Sequence, residues 1–174
     1  MSRPEFSRPL AVARLRAEGD EIAIEAGPDE REAVRARLGL EGLDCLSAHL
    51  VVRPRRAGVV AANGLLRAEV RQVCVLTLEP FASTVEVPVR LVFRPAGPAG
   101  EGREIALDPE GEDEILYAGA DIDLGEAMVE TLALALDPWP KRPGAVFDWT
   151  DKGRGEEPQR SPFSVLERRR DAER

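Results

Sequence analysis

The feature that most constrains this chain is alternation. Val85, Val87, Val89, Leu91 and Phe93 place an apolar side chain at every second position without a break. A period of two is the repeat of a β-strand, so one face of this segment is built for burial. The other face, with Glu86, Arg90 and Arg94, is built for water or a partner. Two earlier segments alternate in the same way. In a strand over residues 45–53, Leu46, Ala48, Leu50 and Val52 share one side, and Cys45, Ser47, His49 and Val51 the other. In a strand over residues 65–75, Leu66, Ala68, Val70, Gln72 and Cys74 lie opposite Arg67, Glu69 and Arg71. Consecutive strands joined by short turns pair antiparallel. Turns are expected over residues 54–58 and at Asn63-Gly64, a dipeptide typical of tight hairpins. The expectation is an antiparallel β meander, as a sheet or a partly closed barrel, with one apolar side and one arginine-bearing side.

The apolar side of such a sheet needs a cover. Residues 6–15 read as a first strand, and residues 21–26 as a short half-buried one. Gly27-Pro28-Asp29-Glu30 opens a helix: proline suits its first position and the acids suit the positive end of its dipole. Val34 and Leu38 lie on one face of it, and Gly39 is suited to end it. A second helix starts at Asp123, with Glu126 three residues on, the spacing of a capping box. Its stripe is Leu124, Met128, Leu132 and Ala135, and Asp137-Pro138 stops it. Residues 104–107 and 114–117 read as short edge strands. The fold class is therefore α+β with two main helices, in a single domain over residues 1–138. Residues 139–174, rich in Pro, Gly and charge, read as an extended, partly disordered tail with an apolar anchor at 161–166.

Residue types narrow the function. No apolar run approaches the roughly 18 residues of a membrane span, and the polar N-terminus lacks the apolar stretch of a secretory signal. Two cysteines, Cys45 and Cys74, are too few for a disulfide framework or a structural zinc made within the chain. The chain is expected to be soluble and cytoplasmic. His49 is the one histidine, so a catalytic triad has a single place to be, inside a strand. Neither a GxxxxGK[ST] loop nor a GxGxxG turn occurs. The expectation is a protein that is not an enzyme and uses no metal or cofactor.

Charge points to two kinds of partner. The net charge is −8, but it is unevenly spread. Residues 101–130 hold eleven acids and one base, whereas residues 51–95 hold seven arginines and three glutamates. Arg67, Arg71, Arg90 and Arg94 are candidates for contact with RNA phosphates; paired with neighbours such as Glu69 and Glu86, they would instead be a solvated sheet surface. Glu110, Glu112, Asp113 and Glu114, with Phe163 and Leu166 of the apolar island, are candidates for docking a basic partner.

The stretch from Ala68 to Phe81, with Cys74, Leu78 and Pro80, resembles the YceD family of bacterial and plastid large ribosomal RNA subunit accumulation proteins. That family carries Cys-x-Arg-Cys-Leu-x-Pro at the end of a strand; Cys74, Leu78 and Pro80 match it. The helix from Asp121 to Pro138 and the block from Ser161 to Leu166, followed by basic residues, are similar to two further family blocks in the same order. The chain departs from the pattern where Leu76 stands for the arginine and Thr77 for the second cysteine. Lys141 and Arg142 replace a histidine that often follows the helix. A CxxC pair can contribute two thiolates to a zinc site or act in redox chemistry; Cys-x-x-Thr is poorly suited to either. The resemblance implies a non-enzymatic factor in accumulation or maturation of large-subunit (23S) ribosomal RNA during ribosome biogenesis. The alternative is an adaptor that docks a basic partner such as a ribosomal protein through residues 101–130.

Overall fold

A computed structural model describes residues 4–96 and 113–146. The strands are β1 (Pro9–Ala11), β2 (Asp20–Glu25), β3 (Gly42–Pro54), β4 (Val60–Val73), β5 (Pro80–Pro95), β6 (Asp113–Tyr117) and β7 (Asp121–Asp123). The helices are α1 (Pro28–Leu38) and α2 (Leu124–Ala135). Five strands form one sheet in the order β2-β3-β4-β5-β6, and β1 pairs with β7 in a second, two-stranded sheet. The expected α+β class and meander hold: β2 to β5 pair antiparallel in sequence order. The large sheet is open rather than closed, with β2 at one edge and β6 at the other among the described residues. β6 lies parallel to β5, with Leu91 opposite Asp113 and Pro95 opposite Tyr117. Of the two expected edge strands, residues 114–117 belong to β6, and residues 104–107 lie outside the described residues.

The alternation sorts the faces as expected. Leu46, Leu50, Leu66, Ala68 and Phe93 are buried on one side of the sheet, under Val34 of α1 and Leu124, Met128 and Leu132 of α2. Each fully buried Leu or Phe contributes roughly 1.5–3 kcal/mol by leaving water. Phe6 and Ile122 close the end of this core.

Two expectations are corrected. Asn63-Gly64 is not a turn; β4 runs straight through it, with Gly64 between Leu50 of β3 and Val89 of β5. A Cβ on Gly64 would overlap the His49 carbonyl oxygen, so glycine is there to let strands approach. The β3–β4 turn is the one expected over residues 54–58, where Ala57 and Gly58 adopt φ of 59° and 74° and the Arg55 N–H donates to the Val59 carbonyl. The first strand is also shorter than residues 6–15. Its partner β7 has three residues, and beyond Ala11 the chain coils into a 3-10 turn over Val12–Arg14.

The segment before β1 ties both helices down. Asp123 caps α2, its Oδ1 accepting from the N–H groups of Gly125 and Glu126. The same oxygen accepts the Arg8 N–H at 2.8 Å, and Oδ2 accepts the Ser7 hydroxyl. Glu126, expected to complete a capping box, instead pairs with Arg37 of α1 at 2.8 Å. The back-reaching glutamate occurs in α1, where Glu30 accepts the Gly27 N–H at 2.8 Å. Glu30 also accepts from both terminal guanidinium nitrogens of Arg8, at 2.6 and 2.7 Å. This fork holds the Glu30 carboxyl at about 2, well below its ordinary value, against the opposing pull of desolvation.

Candidate nucleic-acid interface

The face of the sheet turned away from the helices carries the arginines. Arg67 and Arg71 of β4 and Arg90 of β5 are exposed there, and Arg94 is half-buried. Antiparallel register puts Arg67 opposite Glu86, and Asn63 opposite Arg90. The face thus brings together all four arginines that alternation assigned to it. Arg53 of β3 joins them, opposite Ala61, with its Nε donating to the Glu18 carbonyl at 3.3 Å.

Carboxylates are interleaved with them. Arg67 pairs with Glu69 at 3.1 Å and lies 3.9 Å from Glu86. Arg71 meets Asp44 at 3.3 Å, and Arg94 meets Glu114 at 2.7 Å. Arg90 has no ion-pair partner among the described residues. The partners of Arg71 and Arg94 were not legible in the sequence. Asp44 reaches Arg71 beside a register shift between Leu43 and Cys45, and Glu114 arrives through the parallel pairing of β6. All these pairs are near half exposed, where an ion pair contributes about 0–1 kcal/mol. The centre of the face is neutral, with Ala23, His49, Leu65 and Pro88 in successive strands. Among the described residues its only aromatic ring from these strands is the exposed His49 imidazole, with no Phe, Tyr or Trp, so it offers phosphates a contact and bases no paired stacking platform.

Of the acidic candidates, Glu114 pairs with Arg94 at the edge of this face. Asp113 and Glu114 are exposed on β6. Glu110, Glu112, Phe163 and Leu166 lie outside the described residues.

The residues of the family-like motif form a knuckle between β4 and β5. Cys74 donates its N–H to the Glu79 carbonyl, and Leu78 returns its own to the Cys74 carbonyl at 2.8 Å. Closing so tight a loop forces Leu78 into the left-handed region, at φ of 57°. Leu78 is exposed, and Pro80 begins β5. The chain after α2 returns to this knuckle: the Val75 N–H donates to the Pro140 carbonyl, and Arg142 pairs with Glu79 at 2.9 Å. The Cys74 sulfur is buried and accepts the Arg142 N–H at 3.4 Å. That bond, helped by the Thr77 hydroxyl and the N–H groups of Thr77 and Leu76, lowers the thiol to about 6 despite desolvation.

A zinc at the knuckle would need thiolate or imidazole ligands beside Cys74. Thr77 supplies only a hydroxyl, already turned to the Cys74 sulfur, and Arg142 supplies a cation. These residues do not fit a metal. No group of three His, Cys, Asp or Glu among the described residues could hold one. No described helix is long and apolar enough to cross a membrane.

No curated protein and no solved structure matches this chain. A family model does. It covers residues 62–168, taking in nearly all of β4, then the knuckle, β5, β6 and α2, which is more than half of the sequence. By that match the chain belongs to the YceD family, described as large ribosomal RNA subunit accumulation proteins.

Proposed function

We propose that this protein supports accumulation of large-subunit ribosomal RNA in the cytoplasm without catalysing a reaction, and that it does so by holding RNA phosphates on the open face of its sheet. The observation that carries this reading is the arginine set on that face: Arg67, Arg71, Arg90 and Arg94, with Arg90 unpaired among the described residues. The carboxylates on the other three do not bar RNA. Each pair is exposed and weak, so a phosphate can displace a carboxylate at a cost of about 0–1 kcal/mol. With no Phe, Tyr or Trp on this face to stack bases, binding carries little sequence preference and depends strongly on salt.

The test is binding of unrelated RNAs over a range of salt. Changing Arg67, Arg71, Arg90 and Arg94 to Ala should weaken all of them and flatten the slope of log affinity against log salt. The flattening should be about 0.7–0.9 for each phosphate that the variant no longer neutralises. Large-subunit RNA should fall in cells carrying only that variant. No measurable affinity of the intact protein at low salt would end the proposal.

A protein-binding adaptor is the second reading, favoured by the net charge of −8 and by the exposed Asp113. On this view residues 101–130 dock a basic partner such as a ribosomal protein. Reversal of Glu110, Glu112, Asp113 and Glu114 to Lys should then abolish capture of that partner while the fold survives.

A further inference from the structure

We propose that the groove between β5, β6 and α2 is the docking site of this chain's own residues 161–170. Phe163, Val165 and Leu166 would enter it, and Arg168, Arg169 and Arg170 would meet its acidic rim. The groove has a volume of about 430 Å³, within the range of sites that hold a ligand. Its floor is apolar, from Val89 and Leu91 of β5 and Ile115 of β6. At its lip stands Leu134 of α2, 86% exposed. Leucine at that exposure beside an apolar floor is surface that an occupant would cover. Asp113, Glu114 and Glu130 also line the groove against one cation, Arg90, so its rim is acidic on balance; Asp113 and Glu130 are exposed and in no ion pair among the described residues.

Charge selects the occupant. Residues 160–170 carry four arginines and one glutamate around the apolar run. Two other stretches outside the described residues carry the opposite balance, residues 97–112 with five acids and one arginine and residues 147–159 with four acids and two bases, so neither complements the rim. A second copy docking through the same face would set Asp113 and Glu130 against their own images, which like-charge repulsion disfavours. Reach is sufficient. Fourteen residues separate Val146 from Ser161. At roughly 3.3–3.6 Å each they span up to about 50 Å, against a radius of gyration near 14 Å for a domain of this size. A tether of this length gives an effective concentration on the order of millimolar, so an intrinsic Kd of about 0.1 mM suffices for about tenfold occupancy.

The test is amide hydrogen exchange on the full chain. Phe163→Asp with Leu166→Asp should speed exchange about tenfold in Asp113–Tyr117 and at the C-terminal end of α2, with β3 unchanged. Glu130→Arg should do the same, and adding Arg169→Glu should restore part of the protection, which a merely unfolded variant cannot do. Identical exchange in wild type and the tail variant overturns the proposal. So does protection that disappears on dilution together with a dimeric mass, because the occupant is then a second copy.

Discussion

Asp123 holds the start of α2 to the segment before β1, and its loss can be sized from its contacts. Its Oδ1 accepts three N–H groups, from Arg8, Gly125 and Glu126, at 2.8, 3.0 and 3.2 Å. Its Oδ2 accepts the Ser7 hydroxyl. Asp123→Ala removes a helix cap, worth about 1 kcal/mol. It also strands the Arg8 N–H, for which about 1–3 kcal/mol is the usual cost; the site is half-buried, so the lower end applies. The expected loss is about 2–3 kcal/mol. Asp123→Asn is the control. An asparagine Oδ1 keeps all three N–H bonds, and its amide can donate to the Ser7 oxygen. Only the charge at the helix N-terminus goes, at about 0.3–1 kcal/mol. With a urea m-value near 2 kcal/mol/M, the alanine variant should lower the unfolding midpoint by about 1–1.5 M and the asparagine variant by about 0.5 M or less. An alanine variant within about 0.5 kcal/mol of wild type, or an asparagine variant as damaging as alanine, would refute the assignment of these bonds.

Three further outcomes are expected. Gly64→Ala should cost about 2–4 kcal/mol, because its Cβ meets the His49 carbonyl, which belongs to a backbone and cannot swing aside; a loss near 1 kcal/mol in a denaturant melt would favour a turn there instead. Glu30 has a folded value of about 2 against an ordinary 4.5, so its contribution is complete above 4.5 and drains away as pH falls toward 2. Arg8 and Glu30 are each about a third exposed, which discounts that contribution to about 1–2 kcal/mol, and Glu30→Gln should flatten this part of the stability–pH curve. The purified chain should contain no stoichiometric zinc and should melt at the same temperature with a chelator; elemental analysis showing one zinc per chain contradicts the reading of the knuckle.

Alternation was legible because it is a local signal that burial enforces on both sides of the sheet. Leu46 to Val52, Leu66 to Val70 and Val89 to Phe93 could slip by one residue only by putting every core side chain into water. The arginine face followed from the same periodicity. The errors arose where a local signal meets a distant partner. Asn63-Gly64 has the composition of a turn, but what decides its conformation is the carbonyl of His49 on the neighbouring strand. Glu126 has the spacing of a capping box, but a charged partner on another helix, Arg37, holds it more strongly than a backbone N–H. Arg8 carried no signal at all: its fork with Glu30 spans 22 residues and depends on where β1 is laid.

The knuckle shows how sequence departure and geometry inform one another. A threonine in place of the second cysteine says only that a pair of thiolates is missing. The structure adds what holds the loop in their absence. The Arg142 N–H reaches the Cys74 sulfur, the Arg142 guanidinium holds Glu79, and the Pro140 carbonyl takes the Val75 N–H. All three join the segment after α2 to the turn between β4 and β5, the two places a shared metal would join. Donors converging on one sulfur also favour its thiolate, which accounts for a thiol lowered to about 6. That thiolate should be present at neutral pH and lost as pH falls through about 6, visible as ultraviolet thiolate absorbance in a Cys45→Ser chain. Its folded value is depressed, so its contribution to stability is present above the ordinary value of 9.0 and drains away as pH falls through about 6. A thiol titrating at its ordinary value would mean that the Arg142 bond to sulfur is not formed, leaving only the Glu79 pair and the Pro140 carbonyl to hold the segment after α2 to the knuckle.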